Sequence, residues 1–122
     1  MCGEIDEQER IDEELFERFL SLAGHFGVIP GTPGRDAPAQ LDDQNARGAY
    51  LEGLFRAGLT RAATDAAALP EGSRMDAVAG QAIAFARLAG FLAGQLPPDS
   101  DLFRTAVNAL MEGHGEAAKR GR

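Results

Sequence analysis

The sequence predicts an all-α protein, an antiparallel four-helix bundle built from two αα-hairpins. Apolar residues recur at helical spacing in four segments, and prolines and glycines fall between these segments. No stretch of useful length alternates between apolar and polar residues as a strand does. Short connections between consecutive helices favour antiparallel neighbours. With 122 residues, the chain is long enough to form a single helical domain over 1–122 that buries about two-thirds of its unfolded surface.

The first helix is predicted over about residues 6–27. Asp6 and Glu9 have the spacing of a capping pair at its start. A wide apolar face follows, made of Ile11, Leu15, Phe16, Phe19, Leu20, Leu22, Ala23 and Phe26. Residues 28–41 form an irregular connection that is rich in proline and glycine. This connection lacks the spacing of a phosphate-binding loop, which favours a linker over a binding loop.

The second helix is predicted over about residues 43–69, with Asp42 or Asp43 as its N-cap. Its buried side is expected to contain Leu51, Leu54, Phe55, Leu59, Ala62, Ala66 and Leu69. The loop after it ends at Ser73, which precedes the central helix of the predicted bundle.

The central helix is predicted over residues 75–96, and its apolar residues run almost all the way round. Such a helix is normally buried from several sides. One seam holds only small residues and the seam beside it holds large ones; the small ones are Ala79, Ala82, Ala86, Ala89 and Ala93. Small side chains allow a second helix to approach closely. That helix belongs either to the same chain or to a second copy. Arg87 is either a surface residue or a residue that binds a carboxylate at the interface.

The central helix is also long enough to cross a membrane by the rule of about 20 apolar residues. Arg87 lies near its middle, however, and a central arginine costs on the order of 2.5–3.5 kcal/mol even on the mildest insertion scale. We therefore predict a core helix of a soluble protein, with no membrane partner.

The last helix is predicted to begin near Asp99 or Ser100, after two prolines. Its inner face is expected to contain Leu102, Phe103, Ala106, Val107, Leu110 and Met111. Gly113 and Gly115 predict that the helix frays, so that residues 113–122 form a loose tail.

The acidic charge is concentrated at the start of the chain. Residues 1–17 hold eight acids and one base, a net charge of −7, whereas residues 18–122 hold eleven acids and eleven bases. The acids are either a solvated helix start that suits the helix dipole or a docking surface for a basic protein partner. Nucleic acid is excluded as a partner class, because phosphate binding needs a basic face and the sequence has none.

The sequence offers no catalytic residues, metal site or cofactor motif. It has two histidines, no Glu-x-x-His pair, and Cys2 as its single cysteine. The start of the chain lacks the basic and apolar regions of a signal peptide, so a cytoplasmic location is expected. His114 is the unusual residue, because it continues the apolar line of the last helix. It is either a core or frayed histidine, or, with Met111 and Phe103, a contact for a small apolar ligand.

These observations favour a small non-enzymatic interaction or accessory protein that works through protein–protein contacts, most simply as a homodimer. The alternative is a helical bundle that binds an apolar ligand or cofactor near His114.

Overall fold

The computed structural model describes residues 3–34 and 37–120, and it confirms the all-α fold class. Its helices are α1 (Gly3–His25), α2 (Gln44–Ala68), α3 (Arg74–Ala93) and α4 (Leu102–Arg120), with a 3-10 turn at Pro98–Ser100. No strand occurs in the described ranges. The arrangement of the four helices as one antiparallel bundle, and the single domain over 1–122, stay predictions.

Backbone contacts divide the chain into two compact units. The first unit consists of Met1–Pro30 and Ala86–Arg122, and the second unit is Gly31–Phe85. The boundary falls inside α3, which is one continuous helix. α3 therefore supplies its first three turns to the second unit and its last two turns to the first.

In the first unit, aromatic contacts join the end of α1 to α3. The rings of Phe26 and Phe91 meet edge to face, with 5.7 Å between their centroids. This geometry suits the quadrupoles of the two rings. On α1, one line of apolar side chains is half-buried, and it includes Leu15, Phe19 and Leu22.

A glycine terminates α1. Gly27 adopts a positive φ of 76°, its N–H donates to the carbonyl of Gly24 at 2.9 Å, and the N–H of Val28 donates to the carbonyl of Ala23 at 3.1 Å. This pair of hydrogen bonds is the Schellman motif, which satisfies the free carbonyls of a helix end. The helix consequently stops at His25, two residues earlier than the sequence predicts.

In the second unit, α2 and the first turns of α3 pack side by side. Asp43 caps α2, since its carboxylate accepts a hydrogen bond from the N–H of Ala46 at 2.9 Å. A Cβ placed on Gly58 would lie 3.5 Å from the ring of Phe85, which is ordinary van der Waals distance. Further along α2, Asp65 meets Gln81 of α3. The contacts run in opposite directions along the two helices, so this pair is antiparallel.

The prediction that the central helix is buried from several sides is wrong for the single chain. No residue of α3 is buried, and the described residues as a whole include no buried hydrophobic side chain. α2 covers only the line of α3 that contains Ala77 and Gln81, and Phe26 covers Phe91. Of the remaining residues of α3, Ala93 is half-buried and the others are exposed.

The two later helices also differ from the sequence-based prediction at their ends. α3 stops at Ala93 rather than Leu96, before the glycine at position 94. α4 continues through Gly113 and Gly115 to Arg120, and the predicted fraying of residues 113–122 stays a prediction. Residues 121–122 lie outside the described part.

We expect Gly27→Ala to lower the free energy of unfolding by about 1–2 kcal/mol, because an L-residue is strained at positive φ. Gly24→Ala is the matched control, since Gly24 is inside α1 and an added Cβ meets nothing within 4 Å. That change should raise the stability by about 0.5–1 kcal/mol. Urea denaturation measures both, and equal effects of the two substitutions would contradict the assigned helix end.

Candidate functional site

The alanine face of α3, defined by Ala79, Ala82, Ala86, Ala89 and Ala93, lies on the surface. The first four of these residues are exposed, and Ala93 is half-buried. Two large apolar side chains on the same side of the helix are also uncovered, Met75 at 70% and Ile83 at 71% exposure. The chain therefore leaves this face open to a second helix. Its assignment as an interface stays a prediction.

Arg87, which the sequence assigned to the same interface, has a partner inside the first unit. Its guanidinium lies over the ring of Phe26, 6.0 Å from the centroid. A cation at this distance from an aromatic face is attracted by about 0.5–1 kcal/mol at an exposed site. Arg87 thus helps to hold the end of α1 against α3, a role that the sequence did not predict.

A polar cluster in the second unit ties α2 to α3. The Oδ2 atom of Asp65 accepts hydrogen bonds from Arg61 Nε at 2.8 Å and from Gln81 Nε2 at 2.9 Å. The Oε1 atom of Gln81 is buried and has no hydrogen-bond partner among the described residues. The cluster contains no nucleophile and no general base other than a carboxylate held by two donors. Its hydrogen bonds connect α2 with α3.

The predicted ligand contacts near His114 do not form an enclosed site. Phe103 is 69% exposed and Met111 is 66% exposed, and His114 is exposed beside them. These three residues occupy one face of α4, as the sequence predicts, but no described element covers that face. Binding of a small apolar ligand near His114 stays a prediction, because no described residue encloses this position.

A cavity of about 470 Å³ lies elsewhere, between the proline-rich connection and the first half of α2. The connection contributes Pro38 and Leu41, and the helix contributes Tyr50, Gly53 and small residues around them. Among the described residues, no charged side chain lines it, and Tyr50 is part of the lining. This cavity was not predicted from the sequence. The available signal was the run of alanines and one glycine on a single face of α2, at positions 46, 49, 53 and 57.

The acidic start of α1 forms an exposed, charged helix surface. From Glu7 onward its acids are exposed, and Glu7 pairs with Arg10 at 3.7 Å. An exposed pair of this kind contributes about 0–1 kcal/mol to stability. Docking of a basic protein partner at this surface stays a prediction.

The described residues contain no group of three or more His, Cys, Asp or Glu side chains that could hold a metal ion. An 18-residue window of α3 has a mean hydropathy of 1.2, so this helix is long and apolar enough to cross a membrane by length and composition alone. The core helices of soluble proteins meet the same criterion but are mostly buried, whereas none of this window is buried here. The cytoplasmic, membrane-free location stays a prediction.

Comparisons with known proteins found no matching family, no similar curated protein and no similar solved structure. The function therefore has to be argued from the exposed surfaces and the cavity of this chain.

We expect Gln81→Glu to lower the free energy of unfolding by about 1–3 kcal/mol at neutral pH, because it removes a donor and faces Asp65 with a second carboxylate. The carboxylate introduced at position 81 faces a second negative charge in the folded state, which raises its pKa above the value of about 4.3 that it has in the unfolded chain. The folded variant is therefore less destabilised at low pH, where the introduced carboxylate is protonated, and the destabilisation grows as the pH rises.

Urea denaturation at pH 4.5 and pH 7.5 measures the effect, and the deficit of the variant should be smaller at pH 4.5. Asp65→Asn is the control background, in which Gln81→Glu should lose its pH dependence. A deficit that is the same at both pH values would contradict the contact between Asp65 and Gln81.

Proposed function

We propose that this protein is a small non-enzymatic interaction protein that works as a homodimer. The observation that carries the proposal is the exposure of apolar side chains. None of the described hydrophobic residues is buried, while 21 large hydrophobic side chains are exposed. Fixing one residue of a folded chain costs about 1–2 kcal/mol in backbone entropy, and burial of apolar surface has to offset that cost. A second chain supplies the missing burial.

The alanine face of α3 is our first candidate for the contact. Along its length, from Met75 to Ala93, this face holds no charged residue, so it lacks the composition of a solvated helix surface. It lies apart from Ala77 and Gln81, which turn toward α2, and from Arg87 and Phe91, which turn toward Phe26. A second copy can therefore reach it without displacing a contact within either unit. A two-fold axis would bring the same surface of both copies together.

The first test is the oligomeric state of the wild-type protein and of Ala86→Leu. Leucine at position 86 prevents the close approach of two helices at the alanine face, and we expect the dissociation constant of the dimer to rise at least about tenfold. Sedimentation equilibrium over a wide concentration range measures this change.

Ala67→Leu is the matched control, because Ala67 is an exposed alanine of α2 on the side opposite its contacts with α3. It should leave the dimer unchanged. A wild-type protein that stays monomeric at all concentrations would falsify the homodimer, and a dimer that tolerates Ala86→Leu would exclude the alanine face.

A second candidate function is the binding of a small, uncharged, apolar molecule. The cavity beside α2 favours it, since its volume of about 470 Å³ lies within the range of roughly 300–1,000 Å³ that is usual for ligand sites. The described residues of its lining carry no charge, and Tyr50 is the polar aromatic residue among them. This site differs from the predicted one near His114.

The neutral dye N-phenyl-1-naphthylamine is a suitable probe, because it fluoresces in apolar surroundings. We expect saturable binding to the wild type and its loss in Gly53→Leu, whose side chain projects into the cavity without a clash. Gly48→Leu is the control, since Gly48 is on the same helix, away from the cavity, with nothing within 4 Å of an added Cβ. Both changes favour the helix by about 1 kcal/mol, so stability does not separate them. Equal dye binding by the two variants would exclude the cavity.

A further inference from the structure

α4 carries two neighbouring lines of apolar and small residues, and only one of them is packed within the chain. Along the packed line, Leu102, Ala106 and Gly113 are half-buried. The second line is the outer face of α4, which we define by four exposed side chains: Phe103 (69%), Val107 (38%), Leu110 (64%) and Met111 (66%). A helix with polar residues on its remaining sides does not leave such a stripe in water without a partner.

We propose that the outer face of α4 belongs to the dimer interface, where it packs antiparallel against the same face of a second copy. This proposal rests on the proposed homodimer and names a contact surface and an orientation for it. The residues concerned include Phe103, Met111 and His114, for which the sequence offered an apolar ligand as one interpretation. A second copy of the helix takes the place of that ligand.

The spacing along the outer face suits a two-fold axis. Phe103, Val107, Leu110 and His114 follow one another at intervals of four, three and four residues, which read the same in both directions. In an antiparallel pair, Val107 then lies opposite Leu110 of the second copy, and Phe103 lies opposite His114. In each of these two pairs a larger side chain packs against a smaller one, as close helix packing requires.

The charges at the two ends of α4 favour the antiparallel orientation and a second copy as the occupant. The last turn carries Lys119 and Arg120, while Asp99 and Asp101 precede the helix. Within one copy, Arg104 already pairs with Asp101 at 3.6 Å. Antiparallel pairing brings Lys119 and Arg120 of each copy toward Asp99 of the other, although it also places Glu116 opposite Asp101, which offsets part of the attraction. Parallel pairing would instead place like charges together at both ends.

The size of the face sets the expected affinity. α4 has 19 residues, so it is about 28 Å long and about 10 Å wide. One helix face of this size covers less than the roughly 800 Å² per partner of a standard stable interface. We therefore expect a dissociation constant on the order of micromolar if the outer face of α4 is the main contact.

The affinity test compares Leu110→Glu with Asn108→Glu. Both variants add one negative charge to α4, but Leu110 is in the outer face and Asn108 is an exposed polar residue beyond it. In sedimentation equilibrium we expect Leu110→Glu to raise the dissociation constant about 100-fold or more, because a carboxylate would be buried unpaired. Asn108→Glu should change it less than about threefold.

The orientation test uses disulfide cross-linking in a Cys2→Ser background. In an antiparallel pair, residue 103 is about 16 Å along the axis from residue 103 of the other copy, but it lies beside residue 114. Disulfides need Cα atoms within about 7 Å. An equimolar mixture of Phe103→Cys and His114→Cys should therefore cross-link on mild oxidation, and each variant alone should not.

The outcomes of these experiments separate the homodimer from the outer face of α4 as its interface. A wild-type monomer at all concentrations overturns both the homodimer and the outer face. A dimer that is indifferent to Leu110→Glu overturns the outer face alone and leaves the homodimer standing. Cross-linking of each single variant with itself overturns the antiparallel orientation, whereas loss of the dimer in Leu110→Glu together with cross-linking of the mixture supports the whole proposal.

Discussion

The exposure of apolar side chains is the constraint on which the rest of this structure depends. Hydrophobic residues make up 44% of the chain, an ordinary share for a globular protein, yet the described residues bury none of them fully. Local forces account for the helices themselves, through the N-cap at Asp43 and the glycine at position 27 that ends α1. Tertiary burial normally stabilises helices of this length, and the proposed second copy would supply the burial that the described residues of one chain lack.

α3 is the element through which this constraint acts. It is one continuous helix, but its first turns pack with α2 and its last turns contact the end of α1. The two contacts differ in chemistry. One is a hydrogen-bonded cluster around Asp65, and the other is a stack of an arginine and two phenylalanines. Neither contact uses the alanine face, so the most regular pattern in the sequence remains free for association.

Part of the candidate site could be predicted from the sequence. The alanine spacing predicted a face suited to a close neighbour, which the structure leaves largely exposed, and the line through Phe103 to His114 predicted an apolar stripe on the last helix. Periodicity cannot say whether a face is covered, because a buried seam and an interface seam have the same spacing. The contact of Arg87 with Phe26 could not be predicted either, and the small residues on one face of α2 indicated only one side of the cavity beside it. Both bring together residues that are distant in the sequence or lie on an irregular segment.

The sequence by itself determined the number of helices, their approximate bounds and the all-α class, since these follow from local periodicity, caps and breakers. The tertiary structure decided where α1 and α3 end, that α4 runs through two glycines to Arg120, and that α3 is exposed. The physical reason is that helix formation depends on neighbours within one or two turns, while burial depends on which distant surfaces meet. A face that is apolar in sequence is a core face only where another element lies against it.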